Sequence, residues 1–401
     1  MTKQELKQLN LRLQSLAIFR SLLEDPVIAA LSRYLSISET EDLSPSVSAY
    51  SEFVAQLFRT EKRTLAGYIQ SIVGNDENPY IHMIGKGAEP WPEMEENVWR
   101  ELETLQQIAD LTPEALTASL GTDLPFPKYA VKELDLASSY RERSQNIHQY
   151  GYGIYAKYHM FYLNPAGKIV PVQHPDETRL EQLIDYKREQ QIIIDNTVAL
   201  LEGKPAANIL LTGDAGTGKS STVKAVVNEL HERGLRILEV RKEQLHQSPE
   251  ILDELKSNPL KFILFIDDLS FQKDDDNFSA LKAILEGSVS AKSGNVVIYA
   301  TSNRRHMVKE TFSDREGDDI HKNDTMQEII SLSERFGIQI TFQKPNKQTY
   351  LDIVHHLVAQ RGITMDEKEL DILAERFIIG RGARSARAAK QFVDSLCITS
   401  K

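Results

Sequence analysis

The chain has 401 residues, of which 41% are hydrophobic and 26% are charged, and its formal net charge is −11 at pH 7. This length accommodates two or three domains, and the acidic balance disfavours a broad nucleic-acid-binding surface. The single cysteine, Cys397, excludes an internal disulfide framework and a cysteine metal cluster. Apolar runs are too short for a membrane span and the N-terminus lacks a signal-peptide pattern, so we expect a cytoplasmic protein with no membrane partner.

Residues 1–175 are predicted to form a mainly helical region that ends in a β-hairpin. Apolar residues first recur at helical spacing, as at Leu6, Leu9 and Leu13. Between residues 151 and 172 the period changes to two, and residues 164–167 are typical of a turn, which predicts the hairpin. Its tyrosines could stack on single-stranded nucleic acid, but aromatic residues are common in strands for other reasons, so nucleic acid is possible and not favoured.

Residues 176–344 alternate between strand and helix patterns. A helix is predicted at 180–201, and strands are predicted at 208–212, 235–240, 261–266, 295–301 and 338–342. Such alternation predicts an α/β fold with a parallel five-stranded sheet covered on both faces. Ligands of such sheets bind beyond the carboxyl ends of the strands. Residues 345–401 are predicted to form a small helical domain.

The most specific motif follows the first of these strands. Gly213, Gly218, Lys219 and Ser220 occupy the fixed positions of G-x-x-x-x-G-K-[ST] between a strand and a helix. Backbone N–H groups at such a helix N-terminus favour a phosphate. Lys219 is expected to reach the β and γ phosphates, and Ser220 to ligate Mg²⁺. The predicted phosphate-binding residues are Gly213, Asp214, Ala215, Gly216, Thr217, Gly218, Lys219, Ser220 and Ser221.

Polar residues at the ends of two further strands extend this site. Asp267 and Asp268 follow the apolar strand at 261–266, an arrangement in which the first carboxylate holds Mg²⁺ and the second polarises an attacking water. Asn303 follows the strand at 295–301 and is expected to hold the water or the γ-phosphate.

Two arginine positions complete the candidate set. Arg335 precedes the fifth strand at the edge of the sheet, from which a guanidinium could enter the site of an adjacent protomer. A surface ion pair with Glu334 or a nearby acid is the competing interpretation. Near the start of the last helix, either Arg384 or Arg387 could reach back to the nucleotide.

As a set, these residues resemble the AAA+ ATPases over about residues 180–401. The resemblance implies Walker A at 213–220, Walker B at Asp267 and Asp268, sensor 1 at Asn303, an arginine finger at Arg335 and sensor 2 at Arg384. The stretches GDAGTGKSS (213–221), FIDDLSF (265–271) and TSNRRH (301–306) resemble, more narrowly, an uncharacterised bacterial family of predicted AAA+ ATPases. The resemblance also implies an adenine site near residues 184–186, and therefore ATP.

The resemblance implies a Mg-ATP-dependent ATPase that assembles as a homo-oligomer and remodels an unknown protein partner, which the N-terminal region would select. The implied catalytic residues are Lys219, Asp268, Asn303 and Arg335. Most AAA+ proteins have Glu where this chain has Asp268, and one methylene less displaces the carboxylate. A slow ATP-dependent switch or loader that acts by binding is therefore the alternative interpretation.

Overall fold

The computed structural model describes residues 1–37, 43–269, 276–286, 294–303, 334–379 and 384–399, and helices and strands are numbered over these residues. The chain divides into two units, Met1–Lys157 and Tyr158–Lys401. The first unit is built from helices around one apolar core, and the second is built around a β-sheet.

Helices form the first unit, and a side chain caps the start of six of them. At the start of α1 (Lys3–Gln14), the Thr2 hydroxyl accepts a hydrogen bond from the Glu5 N–H, and the Glu5 carboxylate accepts one from the Thr2 N–H. Leu6, Leu9 and Leu13 are buried at the predicted helical spacing. The other helices of this unit are α2 (Pro26–Ser36), α3 (Ser44–Phe58), α4 (Leu65–Asn75), α5 (Pro79–Gly85), α6 (Pro92–Ala109), α7 (Pro113–Thr117), α8 (Leu136–Gln145), α9 (Ile147–Tyr150) and α10 (Ile154–Lys157).

The sequence predicted that residues 151–157 form the first half of a hairpin, but in the structure they do not. Gly151 and Gly153 have left-handed φ angles of 65° and 60°, which turn the chain before the short helix α10. The buried side chains are Tyr152 and Tyr155, so the spacing of the buried residues is three rather than two. The alternation of apolar residues in the sequence was therefore misleading here.

The hairpin is shorter than predicted and consists of β1 (Met160–Leu163) and β2 (Ile169–Pro171). The predicted turn joins them, with the Gly167 N–H donating to the Asn164 carbonyl at 3.0 Å. The hairpin does not close the helical region, because β1 continues the main sheet of the second unit. The buried side chain of Met160 in β1 belongs to the apolar core of this sheet.

The five strands predicted in the core are present, and with the hairpin the sheet has seven strands rather than five. They are β3 (Ile209–Gly213), β4 (Leu235–Glu239), β5 (Lys261–Ile266), β6 (Val296–Ser302) and β7 (Ile338–Phe342). The strand order is β2-β1-β4-β5-β6-β3-β7. Only β1 and β2 pair antiparallel among the strands described, and all other neighbours are parallel. The predicted α/β class is confirmed.

Helices lie between these strands and after them. The first group comprises α11 (Lys187–Leu201), α12 (Lys219–Leu230), α13 (Ser248–Lys256) and α14 (Asp276–Glu286), and the second comprises α15 (Lys347–Gln360), α16 (Glu367–Ile379) and α17 (Ala386–Thr399). The second group has its own apolar core, which includes Tyr350, Val354 and Phe392. In the described part of the chain, none of the helices combines the length and apolarity needed to cross a bilayer.

Candidate functional site

A cleft of about 770 Å³ opens at the carboxyl ends of β3, β5 and β6, where ligands of parallel sheets bind. Helices α15 and α17 supply another side of it. Ten of the predicted site residues line the cleft, namely Ala215, Gly216, Thr217, Gly218, Lys219, Ser220, Ser221, Asp267, Asp268 and Asn303. The cleft lining does not include Gly213, Asp214, Arg335 or Arg384, although the first two belong to the same loop.

Glycine conformations shape the loop between β3 and α12. Gly213, Gly216 and Gly218 have φ angles of 138°, 80° and 94°, which residues with a side chain rarely adopt. At Gly213 a Cβ atom would lie 2.1 Å from the carbonyl oxygen of Phe342 on the neighbouring β7. Helix α12 begins immediately after Gly218, so the unpaired N–H groups of its first turn lie at the cleft.

Gly213→Ala is expected to lower the free energy of unfolding by about 2 kcal/mol more than Gly218→Ala, because overpacking costs about 1–3 kcal/mol. Both substitutions place a Cβ at a positive φ, but a Cβ at Gly218 would meet no atom within 4 Å. The difference therefore measures the collision with Phe342. Urea unfolding followed by circular dichroism tests this, and equal losses in the two variants would contradict it.

Lys219 is only 5% exposed although it carries a charge. Its ammonium donates hydrogen bonds to the carbonyl oxygens of Gly213 and Asp214, both at 2.8 Å, and to Asn303 Oδ1 at 3.1 Å. Burial lowers the pKa of the Lys219 ammonium, while the nearby aspartates act in the opposite direction. A cation held in this way presents its charge to any anion in the cleft.

Ser220 and Asp267 are in direct contact, since Ser220 Oγ donates to Asp267 Oδ1 at 2.6 Å. Adjacent ligands of an octahedral Mg²⁺, each at about 2.0–2.1 Å from the ion, lie about 2.9 Å apart. The two oxygen atoms already have nearly this separation, and both are hard donors of the type that Mg²⁺ prefers. The residues therefore fit the metal predicted from the sequence. When bound, Mg²⁺ would neutralise phosphate charge.

Asp268 and Asn303 are also in contact. Asn303 Nδ2 donates to Asp268 Oδ1 at 2.6 Å, while Asn303 Oδ1 accepts from Lys219. Thr301, which the sequence analysis did not single out, donates to Asp267 Oδ1 at 2.6 Å and accepts from the Asp268 N–H at 2.9 Å. Residues two apart in a strand point to the same face. The spacing of two between Thr301 and Asn303 was therefore the signal that could have identified Thr301.

The segment at residues 183–186 lines the cleft beside apolar side chains of α15 and α17. The predicted helix at 180–201 is interrupted here, because Tyr186 adopts a left-handed φ of 66° and α11 begins after it. Gln190 is 3% exposed, and its amide donates to the carbonyls of Leu183 and Asp185 at 3.0 and 2.9 Å. Burial raises the pKa of the Asp185 carboxyl. The hydrogen bonds from Gln190 thus fix this segment in a non-helical conformation at the side of the cleft.

The two arginines considered near the start of α17 have different surroundings. Arg384 pairs with Glu375 of α16 at 3.2 Å, and Glu375 also pairs with Lys347 at 3.5 Å. Arg387 instead lines the cleft, and its backbone N–H donates to the Gly216 carbonyl at 3.3 Å. The start of α17 therefore rests on the phosphate-loop backbone, and it presents Arg387 to the cleft.

Arg335 lies before β7, at the edge of the sheet, and is partly exposed. In the parallel pairing of β7 with β3, Ile338 lies opposite Ile209 and Phe342 lies opposite Gly213. At about 3.3 Å per residue, the four steps of β7 place its first residue about 13 Å from the end that carries the loop. Arg335 is thus near the opposite end of the strands from the cleft of its own chain.

The solved structures that are similar to this chain include two of low identity. The RuvB Holliday junction branch migration motor of Thermotoga maritima is 12% identical, with 54% of this chain and 72% of that chain covered and a TM-score of 0.33. PCH-2 of C. elegans is 19% identical, with 53% of this chain and 63% of that chain covered, just under two thirds, and a TM-score of 0.37.

No curated protein matches this chain. A family model matches residues 156–399, which is more than half of the chain and includes every candidate site residue. The prediction of an uncharacterised family is confirmed, and the chain belongs to the family described as "Protein of unknown function (DUF815)".

Proposed function

We propose that this protein is a Mg-ATP-dependent ATPase of the AAA+ type. The observation that carries the proposal is one continuous set of hydrogen bonds in the cleft, which joins Ser220 to Asp267, Asp267 to Thr301, Thr301 to Asp268, Asp268 to Asn303 and Asn303 to Lys219. A glycine-rich turn before a core helix would have no need for this arrangement. The arrangement supports the proposal because nucleotide hydrolysis needs a cation for the phosphates, oxygen ligands for a metal ion and a group that orients the attacking water.

Each residue has a proposed role in hydrolysis. The loop N–H groups and Lys219 bind the phosphates, and phosphate oxygens replace the carbonyl acceptors that the ammonium has in this structure. Ser220 and Asp267 hold Mg²⁺. Asp268 accepts a proton from the attacking water, and the Asn303 amide orients the Asp268 carboxylate. The adenine ring lies against residues 184–186.

Arg387 is the proposed nucleotide contact of the helical domain, in place of Arg384. Arg387 lines the cleft, whereas the guanidinium of Arg384 is held by Glu375. A cation from α17 that binds the phosphates would couple nucleotide occupancy to the position of this helix relative to the loop. Such coupling is how an ATPase of this type could exert force on a partner.

Arg335 is proposed to complete the site of a neighbouring protomer, so the active form would be a homo-oligomer. Its position before β7 supports this, because β7 separates it from the cleft of its own chain. A guanidinium that enters the adjacent site would stabilise charge on the transferred phosphoryl group. The interface would be head-to-tail, as in a ring or an open spiral.

Steady-state ATP hydrolysis at increasing protein concentration tests this proposal. We expect the rate per chain to rise with concentration and both Arg335→Ala and Asp268→Asn to be inactive alone. An equimolar mixture of the two variants should recover about a quarter of the wild-type rate, because that share of head-to-tail interfaces has both groups intact. In an active pair, the intact Asp268 comes from one chain and the intact Arg335 comes from the other, which explains the recovery.

A second candidate function is a slow nucleotide-dependent switch or loader that acts by binding. Asp268 favours it, since its carboxylate reaches less far than that of Glu. Turnover that does not depend on concentration, together with an Arg335→Ala variant as active as wild type, would refute the shared site and favour the switch.

Residues 1–157 contain 22 acidic and 15 basic residues, which supports a protein partner rather than nucleic acid for the first unit.

A further inference from the structure

Thr301 contacts both acids through a single hydroxyl group. This residue of β6 is 2% exposed. Its hydroxyl donates to Asp267 Oδ1 at 2.6 Å and accepts from the Asp268 N–H at 2.9 Å, and its carbonyl accepts from the Leu269 N–H at 2.7 Å. The hydrogen bonding between β6 and β5 thus continues past the end of β5, where it holds the three successive residues Asp267, Asp268 and Leu269.

Asp268 has an unusual backbone conformation. Its φ angle is 56°, in the left-handed region, which is unfavourable for a residue with a side chain and persists where the surroundings enforce it. Two groups from β6 and its end supply that constraint: the Thr301 hydroxyl binds the Asp268 N–H, and Asn303 Nδ2 binds its carboxylate at 2.6 Å. The direction of the Asp268 side chain is therefore set by its backbone.

We propose that Thr301 is a positioning residue for ATP hydrolysis, which acts by holding Asp268 in this left-handed conformation. The inference rests on the proposed function and extends it to a residue outside the predicted set. An aspartate has a short side chain, so its carboxylate can be aimed at a water mainly by rotation of the backbone that carries it. The same hydroxyl fixes Asp267, so the metal ligand and the base keep one relative position.

A structural role alone is the competing account, since a β-branched residue suits a buried strand and its hydroxyl needs a partner in any case. Thr212 supplies a matched control. It lies on the adjacent strand β3, opposite Ser302 of β6, and is 7% exposed. Its hydroxyl bonds to that of Thr341 at 3.0 Å and does not contact the acids.

The experiment compares Thr301→Val, Thr301→Ser and Thr212→Val for kcat, KM, melting temperature and binding of a fluorescent ATP analogue in EDTA. Thr301→Val should lower kcat about 10- to 100-fold, as the loss of a hydrogen bond that orients a ligating or reacting carboxylate does. Its affinity in EDTA should change less than about threefold, because the hydroxyl does not touch the phosphate loop. Thr301→Ser should restore kcat, and Thr212→Val should lower only the melting temperature.

Three kinetic results would overturn the inference: kcat of Thr301→Val within about threefold of wild type, Thr301→Ser as impaired as Thr301→Val, or an equal loss of kcat in Thr212→Val. Amide hydrogen exchange over residues 267–269 supplies a readout that does not need activity. We expect it to be faster in Thr301→Val, and unchanged exchange would also overturn the inference. If the wild type hydrolyses no ATP, the proposed function fails, and the exchange result then decides only whether Thr301 holds the backbone of Asp268.

Discussion

Lys219→Met is expected to weaken ATP binding at least about 100-fold and to reduce hydrolysis below detection, because charge-assisted hydrogen bonds to phosphate are lost. Methionine keeps the apolar length of the buried stem, so the packing of α12 should persist. The substitution also releases Asn303 Oδ1, which accepts from the ammonium at 3.1 Å. Titration with a fluorescent ATP analogue measures the affinity, and phosphate release measures the turnover.

Lys224→Met is the matched control for this prediction. Lys224 lies on the same helix, is partly buried, and pairs with Glu239 at 3.2 Å outside the cleft. We expect its affinity for ATP to stay within about twofold of wild type, because Lys224 does not line the cleft, and we expect the fold to persist, because a partly exposed ion pair contributes little to stability. Nucleotide binding that survives Lys219→Met at the wild-type level would mean that the cleft does not hold phosphates in the proposed way.

The sequence predicted those parts of the fold and site that depend on neighbouring residues. The strand at 261–266 has the predicted bounds, because an unbroken apolar run followed by two acids has few alternatives. The glycines at 213 and 218 and the Lys-Ser pair after them are similarly local. Their contact with Asp267 and Asn303 follows from the rule that parallel strands end at one edge of a sheet.

The place of the hairpin could not be predicted in this way. Strand β1 pairs in parallel with β4, in which Phe161 lies opposite Leu238, and a pairing across so long a stretch of sequence leaves no local pattern. Residues 152–155 show why the hairpin was also predicted too long. Their apolar alternation fits a strand. In the structure, however, Gly151 and Gly153 have positive φ angles that turn the chain, and the buried residues Tyr152 and Tyr155 are three apart, as in a helix.

Side-chain direction limited the prediction of the site. Arg384 and Arg387 lie within one turn of each other in the sequence, yet Arg384 pairs with Glu375 whereas Arg387 lines the cleft. The left-handed conformation of Asp268 was equally hidden, because nothing in the sequence of a strand end specifies φ for an aspartate. The importance of Thr301 depends on that conformation and was therefore missed.

Asp268→Asn is expected to reduce kcat by about 10²- to 10⁴-fold, the usual contribution of a general base, while ATP binding stays within about threefold of wild type. The amide has the size of the carboxylate and can still accept the hydrogen bond from Asn303, but it cannot take a proton. Asparagine also tolerates a left-handed φ better than most residues, so the conformation at 56° should persist. Single-turnover hydrolysis separates the chemical step from binding.

Two further variants make this prediction specific to the Asp268 carboxylate. Asp195→Asn removes an exposed carboxylate of α11 that binds Gln191 at 2.7 Å, and it should leave kcat unchanged. Asp268→Glu keeps the base but adds a methylene at a backbone that favours Asn and Asp, so we expect it to be active and slower than wild type. If Asp268→Glu were faster, the left-handed backbone would not be an adaptation to the short side chain. If Asp268→Asn kept full turnover, another group would have to be the base.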